Sequence, residues 1–261
     1  MAKLNDEIRT KAWTHYVASV VAMDDVGGQK FTGWLGESDT SKVHLLERKT
    51  GVLAQNWSRY RTGDRNVGAS TLKRVEQKVK GSSDIYYIGP EEAPLWTALW
   101  SDDEQELWRV SKATSGIVQV HQAWNSDRYN LCDFTRVEST KIYYTAMSEY
   151  YEEKTRTGKG LLDMDDMAAL IAAFRLGQFR REAAKYQEIL GCCLELSLTE
   201  GSLALIILRD YGILDYCSNF VDRLIPHSEK PSQVIPLISR QSAFDNYNEG
   251  LNEELSFDEM L

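Results

Sequence analysis

VHLLERKTGVLAQNWSRYRTG, residues Val43 to Gly63, holds two short amphipathic patterns separated by a glycine. Val43 and Leu46, with Leu45 beside them, repeat at helical spacing before Gly51; Val52 or Leu53, Trp57 and Tyr60 repeat after it. The spacing predicts one helix capped by Thr40 or Ser41 and ended in a sharp turn at Gly51, then a second over about 52–62 stopped by Gly63. Ser70 is expected to cap a third helix, with Leu72, Val75 and Val79 on one face. The surrounding charge is as uneven as the hydropathy. Lys42 to Lys80 holds ten Lys/Arg against Glu47, Asp64 and Glu76, a net +7 in a chain of net charge −9, which leaves −16 for the remainder. Such segregation bears on partners, because it concentrates a positive field on one part of an acidic protein.

Toward the N-terminus, Ile8, Ala12, His15/Tyr16 and Ser19/Val20 predict a helix over Asp6–Met23, followed by a loop from Gly27 to Asp39. Toward the C-terminus, GSSDIYYIGPEEAP (81–94) is punctuated by glycine and proline and reads as an extended, partly strand-like connector and as the domain boundary. Leu95, Trp96, Leu99 and Trp100 start a helix broken near Ser101–Asp103, and Leu107, Trp108 and Val110 start another. Ile142–Tyr151 reads as a helix with a tyrosine-rich face. Asp163 and Asp166 have the spacing of a capping pair ahead of Met167, Leu170, Ile171 and Phe174. Phe179, Ala183, Tyr186, Leu190, Cys193 and Ser197 trace one stripe, and Ser202–Ile225, apolar on most faces, reads as a central buried helix. Asp245–Leu261 carries six acids and no base, the composition of a disordered acidic tail. The expected fold is therefore all-α, with domains at 1–84 and 91–226 and a tail over 227–261.

The 261 residues suffice for one large or two modest domains. Four cysteines, Cys132, Cys192, Cys193 and Cys217, form no C-x-x-C pair, so neither a disulfide framework nor a zinc module is indicated. MAKLNDEIRT has no basic-then-apolar order of a signal peptide, and the longest aliphatic run, Leu203–Leu208, is too short to span a bilayer; a cytoplasmic, non-membrane protein is expected. TRTGKG near Lys159 has neither the first glycine nor the closing Ser/Thr of a phosphate loop. His15, His44, His121 and His227 are scattered, and Asp163–Asp166 has neither the glycine nor the terminal glutamate of a calcium loop. Trp96, Trp100 and Trp108 sit among acids and read as core or interface anchors. No catalytic residue, cofactor or metal ligand is expected.

Val43 to Gly63 resembles the helix-turn-helix of the Cro and phage-repressor-like (XRE-type) DNA-binding proteins through Leu45 and Leu46, the turn Gly51, Trp57, the Ser58-Arg59-Tyr60 run and Gly63. ASTLKRVEQKV (69–79) resembles the helix behind that unit. The likeness covers about residues 40–80. It departs from the family in having no glutamine at the start of the recognition region and in the long loop before the scaffold helix. What the resemblance implies is a sequence-specific DNA-binding protein, a transcriptional regulator acting as a homodimer on double-stranded DNA. The residue chemistry agrees: a recognition helix buries Trp57 and Tyr60 and offers Gln55, Asn56, Ser58, Arg59 and Arg61 to base edges, while Lys42, Arg65, Lys73 and Lys78 suit phosphates. The competing expectation is a non-enzymatic adaptor, a subunit of a larger complex whose basic patch meets an acidic partner or RNA. In either case the C-terminal domain is expected to serve oligomerisation or partner binding, and the tail is a second candidate for docking a partner, through Leu255, Phe257 and Leu261.

Overall fold

The protein is described here by a computed structural model over residues 2–26, 40–111, 150–151, 154, 162–179, 184–199 and 201–225. The loop 27–39, the reading of 142–149, TRTGKG, Cys132, His121, His227 and the acidic tail lie outside the described residues. Among the described residues all regular structure is helical: eleven α-helices and one 3-10 turn. The chain forms two compact units, residues 1–100 with 207–220, and residues 101–206 with 221–261.

The first unit contains α1 (Ala2–Val26), α2 (Thr40–Thr50), α3 (Ala54–Thr62), α4 (Ala69–Glu76), α5 (Ser82–Tyr87), a 3-10 turn (Pro90–Glu92) and α6 (Leu95–Trp100). Helix α1 packs against α2, α3 and α5, α2 against α3, and α4 against α5. The core joins Trp13, Val17 and Val21 of α1 to Val43 and Leu46 of α2, Val52, Trp57 and Tyr60, and then Leu72, Val75 and Tyr86. Its centre is aromatic: Trp13 stacks on Trp57 at 5.1 Å between centroids, and Tyr60 meets both rings edge-on. The stripe on α1 thus turns on Trp13 and Val17, which fall between the positions expected to face inward.

Two expectations fail in this unit for physical reasons. The segment 81–94 is not an extended connector. The carboxylate of Glu76 accepts from the Gly81 N–H (2.9 Å), the Ser83 N–H (2.7 Å) and the Ser82 hydroxyl (3.0 Å), an anion at the start of α5 that satisfies the donors a helix leaves open. Ile85 and Tyr86 are then buried, which an isolated strand could not achieve. Nor does the unit end at residue 84. The Trp96 indole donates to the Ile85 carbonyl at 2.9 Å, and residues 207–220 join the same unit through Tyr211 stacked on Tyr16, Tyr211 donating to Glu91 at 3.0 Å and Trp100 donating to Tyr216 at 2.8 Å. A smaller difference concerns α4, whose N-cap is Gly68 rather than Ser70.

The second unit contains α7 (Glu104–Ser111), α8 (Met164–Phe179), which packs on both α7 and α9, α9 (Ala184–Leu196), and parts of α10 (Leu203–Asp210) and α11 (Leu214–Leu224). Helix α8 starts as the Asp163/Asp166 spacing predicts. Each backbone N–H donates to the other residue's carboxylate, at 3.1 and 2.9 Å, and Lys154 pairs with the same buried Asp166. It is also the buried central helix: Met167 through Ala173 are inaccessible on every face. The stripe Ser202–Ile225 does not have that role, because it is two helices. Gly212 takes φ +67°, its N–H donates to Arg209 and that of Ile213 to Leu208, both at 3.0 Å, the paired bonds that close a helix through a left-handed residue. Cys192 and Cys193 lie in α9, Cys193 buried, as small apolar residues do.

Candidate nucleic-acid interface

The α2–turn–α3 unit is fixed by short-range bonds that its sequence dictates. Gly51 adopts φ +75°, a conformation open to glycine at little cost, and its N–H donates to Glu47 at 2.8 Å. Thr50 is buried; its hydroxyl donates to the Leu46 carbonyl at 2.6 Å and accepts from the Val52 N–H at 3.2 Å, so one side chain spans the turn. Val52 takes the core position and Leu53 stands outside, 62% exposed, so α3 begins at Ala54. At its other end Gly63 closes α3 at φ +82°.

Helical geometry then sorts α3 into two faces. Trp57 and Tyr60 are buried, while Gln55, Ser58, Arg59 and Thr62, at i, i+3, i+4 and i+7, form the solvent face. Of these, Thr62 donates to Asp64 at 2.7 Å and Ser58 reaches back to the Ala54 carbonyl at 3.5 Å. Gln55 and Arg59 are exposed one helical turn apart, and among the described residues neither side chain has a hydrogen-bonding or ionic partner.

The remaining residues of the expected set are placed less uniformly. Arg61 is half-buried on the flank of α3 toward α1 and does not share the face of Arg59. Its charge acts on His15, a buried residue of α1 whose pKa falls to about 4, first through burial and then through Arg61 and Lys11. Asn56 is half-buried, and its Oδ1 accepts from the Arg65 guanidinium at 2.8 Å. Lys42 is half-buried at the start of α2. Lys73 on α4 and Lys78 in the turn after it are exposed, as are Arg74 and Lys80; among the described residues none of the four side chains is ion-paired. Thr62, Arg74 and Lys80 fall outside the expected set, although the i+3 spacing from Arg59 marks Thr62 and the net +7 segment includes Arg74 and Lys80.

Among the described residues no group of three or more His, Cys, Asp or Glu is placed to hold a metal ion, and no helix is long and apolar enough to cross a membrane. The arrangement offers donors and positive charge on helices packed over a buried aromatic core. Comparison of the chain with protein-family models, with curated proteins and with solved structures gave no match.

Proposed function

We propose that the first unit binds double-stranded DNA in a sequence-specific manner, with α3 in the major groove, and that the protein is a transcriptional regulator. The observation that carries this reading is the solvent face of α3: the side chains of Gln55 and Arg59 are unpartnered, on a helix whose other face is anchored by Trp57 stacked on Trp13 and by Tyr60 edge-on to both. Arginine suits the O6/N7 edge of guanine and glutamine the N6/N7 edge of adenine. Unpaired Lys73, Arg74, Lys78 and Lys80 supply charge for phosphates, consistent with the net +7 of the segment. The second unit is the proposed oligomerisation part, supporting a homodimer; the apolar pair Leu203 and Ile206, 40% and 42% exposed and three residues apart on α10, suits an interface.

The test is binding to fragmented genomic DNA at two salt concentrations. The proposal expects affinity to fall steeply with salt while a preference for particular fragments persists. Loss of all binding preference at the higher salt would reduce the protein to a polyanion binder, the adaptor reading.

A further inference from the structure

We infer that Asn56 does not read a base but is a positioning residue that aims the Arg65 guanidinium at a backbone phosphate. The inference rests on the DNA-binding reading of α3. It starts from hydrogen-bond chemistry. A guanidinium has only donors, so the atom of Asn56 that lies 2.8 Å from Arg65 Nη1 is Oδ1 acting as acceptor. Bidentate recognition of adenine requires an asparagine to present Oδ1 and Nδ2 together to the base edge. Here Oδ1 is turned toward Arg65.

The partner is held as firmly as the asparagine. The Arg65 N–H donates to the Arg59 carbonyl at 3.3 Å, folding the loop after α3 back onto the helix. Two residues later the Val67 N–H donates to the Thr10 hydroxyl of α1 at 3.2 Å, and just before it Asp64 is engaged by Thr62. With its backbone fixed on both sides and one donor engaged by Asn56, the exposed Arg65 keeps its other N–H groups for an external acceptor. Among the described residues no carboxylate pairs with it.

Position decides which acceptor. Asn56 lies at the half-buried edge of the face formed by Gln55, Ser58, Arg59 and Thr62. When a helix lies in the major groove, its outermost stripe meets base edges and its flanks meet the sugar–phosphate walls. A guanidinium steadied at that edge is a phosphate clamp. Asn56 contributes to affinity through Arg65 and carries no sequence information.

The experiment compares the full chain with Asn56→Ala, Arg65→Ala and the double variant on a duplex selected from a randomised library and on a scrambled duplex, across a salt series. The inference predicts that Asn56→Ala weakens both duplexes about equally, roughly threefold to tenfold, and lowers the slope of log K against log salt by about 0.9, the value of one phosphate contact. The double variant should bind no more weakly than Arg65→Ala alone. Relaxed preference at one base position with an unchanged salt slope would overturn the clamp and return Asn56 to base reading. Additive losses in the double variant would also overturn it. A parent chain that selects no sequence from the library would remove the DNA reading itself, and the clamp with it.

Discussion

At the scale of single residues, burial separates side chains that the sequence presents as equivalent. Arg59 and Arg61 are two positions apart in one basic run, yet Arg59 is exposed and Arg61 is half-buried beside α1. Arg59→Ala is therefore expected to leave thermal unfolding unchanged while costing about 1–3 kcal/mol of preference for a selected duplex, the worth of one bidentate base contact. Trp57→Ala acts in the opposite way. Removal of a fully buried ring stacked on Trp13 should cost about 3–5 kcal/mol of stability, read as raised hydrogen exchange across residues 40–80. Wild-type-like exchange in that variant would contradict the core described here. His15 adds a pH dependence. Its pKa is lowered from 6.5 to about 4, so between those values the unfolded chain binds more protons than the folded one, and stability present at neutral pH is lost as pH falls through that window. The full loss corresponds to about 3 kcal/mol. Denaturant midpoints near pH 7 and near pH 4 should diverge for the parent and diverge less for His15→Asn; equal divergence in both proteins would place the effect elsewhere.

At the scale of elements, what was legible in the sequence was whatever local chemistry decides. The α2–Gly51–α3 pattern, the stop at Gly63 and the Asp163/Asp166 start of α8 were readable because each depends on a cap or a turn within a few residues. Segment 81–94 was not, because its helix depends on Glu76, five to seven residues upstream, and on burial of Ile85 and Tyr86. Burial raises the Glu76 carboxyl's pKa, but the Ser83 and Gly81 N–H groups and the Ser82 and Ser83 hydroxyls outweigh that effect and hold it below its ordinary value. Glu76→Ala should therefore expose residues 81–88 to hydrogen exchange before the rest of the first unit; uniform protection would refute the capping role. The break inside Ser202–Ile225 was hidden for a related reason: apolar residues continue through it, and only a left-handed glycine marks it. Gly212→Ala is expected to destabilise more than Gly51→Ala. An added Cβ at 212 would lie 2.6 Å from His15 Nε2, whereas at 51 nothing lies within 4 Å and only the positive φ, about 1 kcal/mol, opposes it. Equal unfolding midpoints for the two variants would contradict that geometry.

At the scale of the whole molecule, the sequence conveyed an all-helical class but not the partition into units. Residues 207–220 join the first unit through Tyr211 and Tyr216, aromatic partners more than a hundred residues away from Glu91 and Trp100, and no periodicity encodes such a pairing. The candidate interface shows the same division. Its exposed face follows from helical spacing, whereas the engagement of Asn56 by Arg65 depends on how the loop after α3 folds back. The proposed function depends on that face carrying sequence information beyond positive charge. Titration of the parent and Arg59→Ala against a selected and a scrambled duplex, at low and at higher salt, tests this most directly. The parent is expected to keep its preference for the selected duplex at both salts and Arg59→Ala to reduce that preference about tenfold or more, with no change in thermal unfolding. Equal preference in the two proteins, or no preference in the parent, would contradict it.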